Sequence, residues 1–252
     1  MRLPDAIQAH IVEFAHANGI PVSSHELYPS TASGSDHVEH IGGTSRRGYS
    51  PKVTRLSRSY ADVIDLLNAS GMSLTPTVAL QGGYALVSRR DPSILDDPRL
   101  AIAYGQEYVD GLKAAATRGG QGGQQGNSEF IASLGKTVAR VVRGGGRVMA
   151  GTDSPIIPFG LGLHVELQNY VESGGLTPRE ALVTATSGFA RIVGLDRDLG
   201  SIAPGKLADL VAVEGNPLER ITDTRRVRVV VKDGNVYTLE RLLAGPPRPV
   251  VP

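Results

Sequence analysis

Cysteine and tryptophan are both absent from this chain of 252 residues. Without cysteine there are no disulfides, no thiolate metal centres and no cysteine nucleophile. Aromatic residues of all kinds make up only 5%, which disfavours a binding module built on aromatic platforms. No sign of charge dominates: 26 Lys and Arg stand against 25 Asp and Glu, for a net charge of +1, so the footprint of a nucleic-acid binder is missing. No apolar run approaches the roughly 20 residues that a membrane span needs. The opening stretch, MRLPDAIQAH, also lacks the apolar segment of a secretory signal. The expectation is a soluble, cytoplasmic chain with no nucleic-acid or membrane partner. Glycine, by contrast, is plentiful at 31 residues, which suits an α/β enzyme with many tight loops.

Periodicity predicts a helix over residues 3–18, with Ile7, Ile11 and Phe14 or Ala15 at helical spacing and Gly19 as its C-terminal stop. Short strands follow, one ending at His25 and a second around residues 37–41. A polar loop, 42–58, carries Arg46, Arg47 and Tyr49. A helix capped by Ser59 presents Val63, Ile64, Leu66 and Leu67 and stops at Gly71, and residues 74–80 read as a third strand. From 81 to 127 the pattern weakens. The glycine-rich tract 118–126 reads as a mobile loop; it has no Lys-Ser/Thr ending for a phosphate loop.

A helix over 128–143 then delivers a fourth strand, 147–153, ending in Asp153. Thr177-Pro178 with Glu180 forms a capping box that starts a helix running to about Val193. Beyond Gly194 the chain changes to short β segments at 210–213 and 227–231, with Asp233-Gly234 as a hairpin signal. Four strands alternating with helices imply a parallel sheet, whose chemistry gathers at the C-terminal strand ends. Those ends are His25, His40, residues 75–81 and Asp153.

Two of the six histidines thus fall at strand ends beside one carboxylate. Imidazole nitrogen with carboxylate oxygen suits Zn²⁺ or another divalent ion, which lowers the pKa of a bound water while a neighbouring carboxylate moves its proton. The spacing alone matches no compact motif. His37 lies an odd number of positions from His40, hence on the opposite face of a regular strand, and reads as structural. Guanidinium groups of the Arg46 to Tyr49 loop suit a substrate carboxylate. A mononuclear Fe(II) oxygenase also uses two His and one carboxylate, but the alternation of strand and helix speaks against its β-sandwich scaffold. A serine hydrolase elbow is not supported, because the Gly-x-Ser segments ending at Ser45, Ser73 and Ser128 have Arg47, Thr75 and Phe130 where the closing glycine belongs.

The segments IPVSSH ending at His25, DHVEHI around His40, AGTDSP around Asp153, TPREAL from Thr177 and GSIAPGKLADLV from Gly200 resemble, in that order, the second half of the metal-dependent amidohydrolase superfamily. The imidazolonepropionase-like and dipeptidase-like branch is the nearest in kind. The resemblance implies an α/β fold, the part of a (β/α)8 TIM-type barrel equivalent to strands five to eight, with a small C-terminal β-sandwich remnant. It divides the chain into a barrel part (1–194), a sandwich segment (195–245) and an extended tail (246–252). It further implies hydrolysis of an amide, cyclic amide, dipeptide-like or ester bond by a metal-activated water. His25, His40 and Asp153 would hold the ion, most simply Zn²⁺; Asp153 would act as acid and base, and His164, Arg46 and Tyr49 would meet the small-molecule substrate. The family's His-x-His pair and its strand-four lysine have no counterpart here. Homo-oligomerisation, or a partner that supplies the other strands to an otherwise inactive chain, is the matching expectation.

Overall fold

The computed structural model describes residues 4–25, 27, 32–41, 61–117 and 128–244. Arg46, Tyr49, the tract 118–126 and the tail 246–252 lie outside them. A four-stranded parallel sheet, in the order β1 (Ser23–Ser24), β2 (His37–Glu39), β3 (Ser73–Thr75) and β4 (Arg147–Val148), is the centre of the fold. The helices that connect and cover it are α1 (Asp5–Ala17), α2 (Ala61–Ala69), α3 (Tyr84–Arg90), α4 (Pro98–Tyr104), α5 (Gln106–Thr117), α6 (Ser128–Arg143), α7 (Leu161–Glu172), α8 (Pro178–Ala185) and α9 (Ser187–Ile192). A separate three-stranded antiparallel sheet follows, in the order β5 (Leu210–Val213), β6 (Val227–Lys232) and β7 (Asn235–Thr238), and a last short helix, α10 (Leu239–Leu243), ends the described chain.

The parallel sheet is apolar on one face only. Val38, Leu74 and Val148 stand in register across β2, β3 and β4. All three are buried against Ile64 and Leu67 of α2 and Ile131, Leu134 and Val138 of α6. The spacing of that α6 stripe follows the 3.6-residue period, which is why this helix is legible in the sequence. The other face carries Ser23, His37, Glu39, Ser73 and Thr75, bonded to one another. Hydroxyl, imidazole and carboxylate groups therefore line this face.

Several elements depart from their expected form. The third strand ends at Thr75, well short of residue 80, because Pro76 has no N–H and Thr77 takes a positive φ of 48°. Residues 79–83 make one π-helical turn instead. The weakly patterned region 81–127 contains three helices and a 3-10 turn, with caps that are local: Asp97 accepts from the N–H of Arg99, and Gly105 at φ 84° separates α4 from α5. These helices build a second core from Tyr84, Val87, Ile94, Leu95, Leu100 and Val109 against Leu161 and Val165 of α7. Most of α7 is buried, which erases the amphipathic signal that would have announced it. The helix expected from Thr177 to Val193 breaks at Thr186 into α8 and α9. On α1 the buried residues are Val12 and Ala15, while Ile7, Ile11 and Phe14 are exposed. The Asp233-Gly234 hairpin forms as its sequence implies, with both residues at positive φ.

Thr177 and Glu180 form the expected capping box, the Thr177 hydroxyl accepting from the N–H of Glu180 and the Glu180 carboxylate from the N–H of Thr177 at 2.7 Å. Glu180 also pairs with Arg143 at the end of α6. Thr177→Ala is expected to cost about 1 kcal/mol, read as a lower urea midpoint at unchanged m-value.

Candidate metal and catalytic site

Three neighbouring parallel strands each run out into a residue of left-handed conformation: His40 (φ 58°) beyond β2, Thr77 (φ 48°) beyond β3 and Asp153 (φ 56°) beyond β4. Among the described residues the one other non-glycine residue at positive φ is Asp233 of the hairpin. His and Asp enter this region more readily than most residues, whereas a β-branched Thr there is strained. Such strain persists only where surrounding structure enforces it, and it concentrates at functional sites.

The three strained residues meet. His40 Nδ1 lies 2.6 Å from Thr77 Oγ1, and His40 Nε2 lies 3.7 Å from Asp153 Oδ2. The His25 ring, directly after β1, sits with its centroid 5.0 Å from that of His40. Backbone bonds set the frame, His40 N–H donating to Thr75 O at 2.8 Å and Ile41 N–H to Pro76 O at 3.0 Å. The Thr77 hydroxyl donates its single proton to Pro76 O at 2.9 Å. With its proton on Pro76 O, the hydroxyl can accept from His40 Nδ1–H, the tautomer that leaves the His40 lone pair on Nε2, toward Asp153.

Below this end, on the polar face, His37 is buried between Ser73 Oγ and Thr75 Oγ1, each 2.7 Å away. His40 lies beyond the end of β2 at positive φ, so the alternation on a regular strand that set His37 opposite it does not apply. Glu39 accepts from Ser23 Oγ at 2.9 Å. Burial pushes its carboxyl up, but the hydrogen bond and charge of His37, the Ser23 hydroxyl and His40 outweigh it and hold Glu39 below the usual carboxylate range.

Among the described residues no three His, Asp or Glu side chains converge tightly enough to hold an ion by themselves. The donors still fit one in kind, two imidazoles and a carboxylate. The 3.7 Å between His40 Nε2 and Asp153 Oδ2 lies within the roughly 4.2 Å that two ligands of one Zn²⁺ can span. Sequence reasoning missed Thr77; the Thr-Pro-Thr run at 75–77 marks a strand end, but only the fold brings it to His40. His164 lies on α7, half-buried near Arg99, Arg225 and Asp97, its Nδ1 buried without a hydrogen-bond partner among the described residues.

The model of the amidohydrolase family matches residues 3–237. This chain belongs to the amidohydrolase family. Over 113 residues the chain is 35% identical to ochratoxinase of Aspergillus niger, covering 44% of this chain and 22% of that protein. Over 54 residues it is 43% identical to a putative N-acetylgalactosamine-6-phosphate deacetylase of Escherichia coli, covering 21% of this chain and 32% of that one. Among solved structures, a Xaa-Pro dipeptidase with bound methionine superposes at a TM-score of 0.60 and 24% identity, over 92% of this chain and 48% of its own. Molinate hydrolase superposes at 0.61 and 20% identity, over 99% and 50%. The likeness to these structures is one of fold, α/β, and the chain spans about half the length of the solved chains it matches. No helix among the described residues is long and apolar enough to cross a membrane.

Burial, then the charges of Arg99 and Arg225, push the His164 imidazole down from 6.5 to about 4. The unfolded chain therefore binds the extra proton first as pH falls, so the contribution of His164 to stability is complete above about 6.5 and is lost toward about 4. Urea midpoints measured at steps from pH 7 to 4.5 are expected to fall less steeply in His164→Asn than in the wild-type chain.

Proposed function

We propose that this amidohydrolase chain carries the metal-binding and proton-transfer part of a hydrolase that cleaves an amide, cyclic amide, dipeptide-like or ester bond with a metal-activated water. The observation that carries the reading is the meeting of His40 and Asp153 through left-handed strand ends, with His25 alongside. Members of the superfamily typically use divalent metals, and the ion proposed here is Zn²⁺, held by His25, His40 and Asp153. Such an ion, when bound, supplies a water of lowered pKa and polarises the scissile carbonyl. Asp153, whose side chain is 42% exposed, takes the proton from the attacking water and returns it to the leaving nitrogen or oxygen. His40, anchored by Thr77, keeps Nε2 free of a proton. Arg46, Tyr49 and His164 are proposed as substrate contacts on the strength of the family resemblance.

The parallel sheet supports a further part of the reading: its four strands correspond to strands five to eight of a (β/α)8 barrel, residues 1–194, and β5 to β7 are the sandwich remnant within 195–245. Here β1 and β4 each pair with a single neighbour, leaving two open edges among the described residues. Those edges favour a second form of the proposal, in which the chain acts only as a homo-oligomer or with a partner that completes the sheet and the ligand set.

Purified chain is expected to bind about one Zn²⁺ per active unit and to hydrolyse a panel of dipeptides and N-acyl amino acids. Asp153→Asn is expected to lower kcat by about 10²- to 10⁴-fold, and His40→Ala to lose the metal. Hydrolysis that survives chelation and both substitutions would overturn the proposal. Light scattering on the same sample separates the forms: activity confined to an oligomer supports strand completion, activity in the monomer removes it.

A further inference from the structure

Glu166 of α7 is fully buried, and neither the sheet nor the proposed ligand set uses it. Its Oε1 accepts from the N–H of Val78 at 2.8 Å and its Oε2 from the N–H of Ala79 at 2.6 Å. These are the two peptide groups that directly follow strained Thr77, at the start of the π-helical turn. Peptide N–H groups in a first helical turn have no partner within the helix; here a carboxylate from 87 and 88 positions further along the chain satisfies both. The seat is closely packed: a Cβ on Gly83 would stand 2.6 Å from Asn169 Nδ2, one turn along α7 from Glu166. On the other side Pro76 restricts the backbone. Thr77 is thus gripped from both sides, and its hydroxyl is the group that meets His40 Nδ1.

We propose that Glu166 is a positioning residue for His40: by clamping the Val78 and Ala79 amides it holds Thr77 in its left-handed conformation, so that the Thr77 hydroxyl fixes the Nδ1–H tautomer and ring orientation of His40. The role rests on His40 acting through Nε2 in the proposed site, but the tautomer is measurable without metal. A glutamine at 166 presents one acceptor and one amide donor to two N–H groups. Asp is one methylene too short to reach both. Either change loosens Thr77 without touching a ligand.

The test is the imidazole ¹⁵N spectrum of the full metal-free chain at pH 8, where six histidines are to be assigned, with Zn²⁺ affinity measured separately by chelator competition. Wild type is expected to show His40 wholly as the Nδ1–H form. Glu166→Gln, Glu166→Asp and Thr77→Val are each expected to populate the Nε2–H form, with His37 unchanged and Thr77→Ser retaining the wild-type state. Glu166→Gln combined with Thr77→Val is expected to go no further than either alone, because the two act through one contact. Zn²⁺ affinity is expected to weaken about 10- to 100-fold in the same variants. A folded Glu166 variant with an unchanged His40 tautomer overturns the proposal, and so does failure of both Glu166 variants to fold, which would make Glu166 a determinant of the fold. Wild type that shows the tautomer pattern but binds no Zn²⁺ supports the positioning role and overturns the metal reading alone.

Discussion

The 2.6 Å hydrogen bond between His40 Nδ1 and Thr77 Oγ1 ties the ends of two adjacent parallel strands together, and the rest of the site is arranged around it. Parallel strands end on one side of their sheet, so side chains from distant parts of the sequence are delivered to the same edge. Delivery alone does not aim them. Aim comes from the left-handed backbone at His40, Thr77 and Asp153, and from a hydroxyl whose only proton is committed to Pro76 O. In the Nδ1–H tautomer the imidazole presents a donor to Thr77 on one side and a lone pair toward the carboxylate on the other.

That arrangement is costly. Strained backbone residues of this kind cost of order 1–3 kcal/mol each, a sizeable share of the net stability of an ordinary domain, about 5–15 kcal/mol. The packing around them has to carry it. Val38, Leu74 and Val148 anchor the three strands in one apolar layer against α2 and α6. The α7 helix buries Glu166 and Tyr170 beside the turn that follows Thr77. Burial pushes the Glu166 carboxyl up to about 7, against the pull of the Ala79 and Val78 amides and the Tyr170 hydroxyl.

The polar face of the sheet has a different logic. A closed barrel fills its interior mainly with bulky branched side chains. Here Ser23, His37, Glu39, Ser73 and Thr75 satisfy one another instead. An open sheet with such a face exposes little apolar surface on that side. Exposed apolar side chains lie elsewhere, among them Ile7, Ile11 and Phe14 on α1 and Ile156, Phe159 and Ile202 in loops.

Much was legible in the sequence because it depends on near neighbours along the chain. The α6 stripe, the Thr177–Glu180 capping box and the Asp233-Gly234 turn are local, and each formed as its residues imply. The family segments around His25, His40 and Asp153 were equally readable. Their gathering at one end of the sheet was expected from the alternation of strand and helix; what was not readable is how they are aimed, because that depends on the register of four strands drawn from 126 residues of chain and on φ values that no short motif announces. Of the helices between 84 and 117, α3 and α4 are only seven residues long, too short to show a period, whereas α5 does carry Val109, Leu112 and Ala116 at helical spacing toward its core. By itself the sequence determined which residue types are available for chemistry and where its strongest local elements begin and end. The tertiary structure alone decided that Thr77 stands behind His40 and Glu166 behind Thr77, because contacts across 37 and 88 positions exist only once the sheet and α7 have packed.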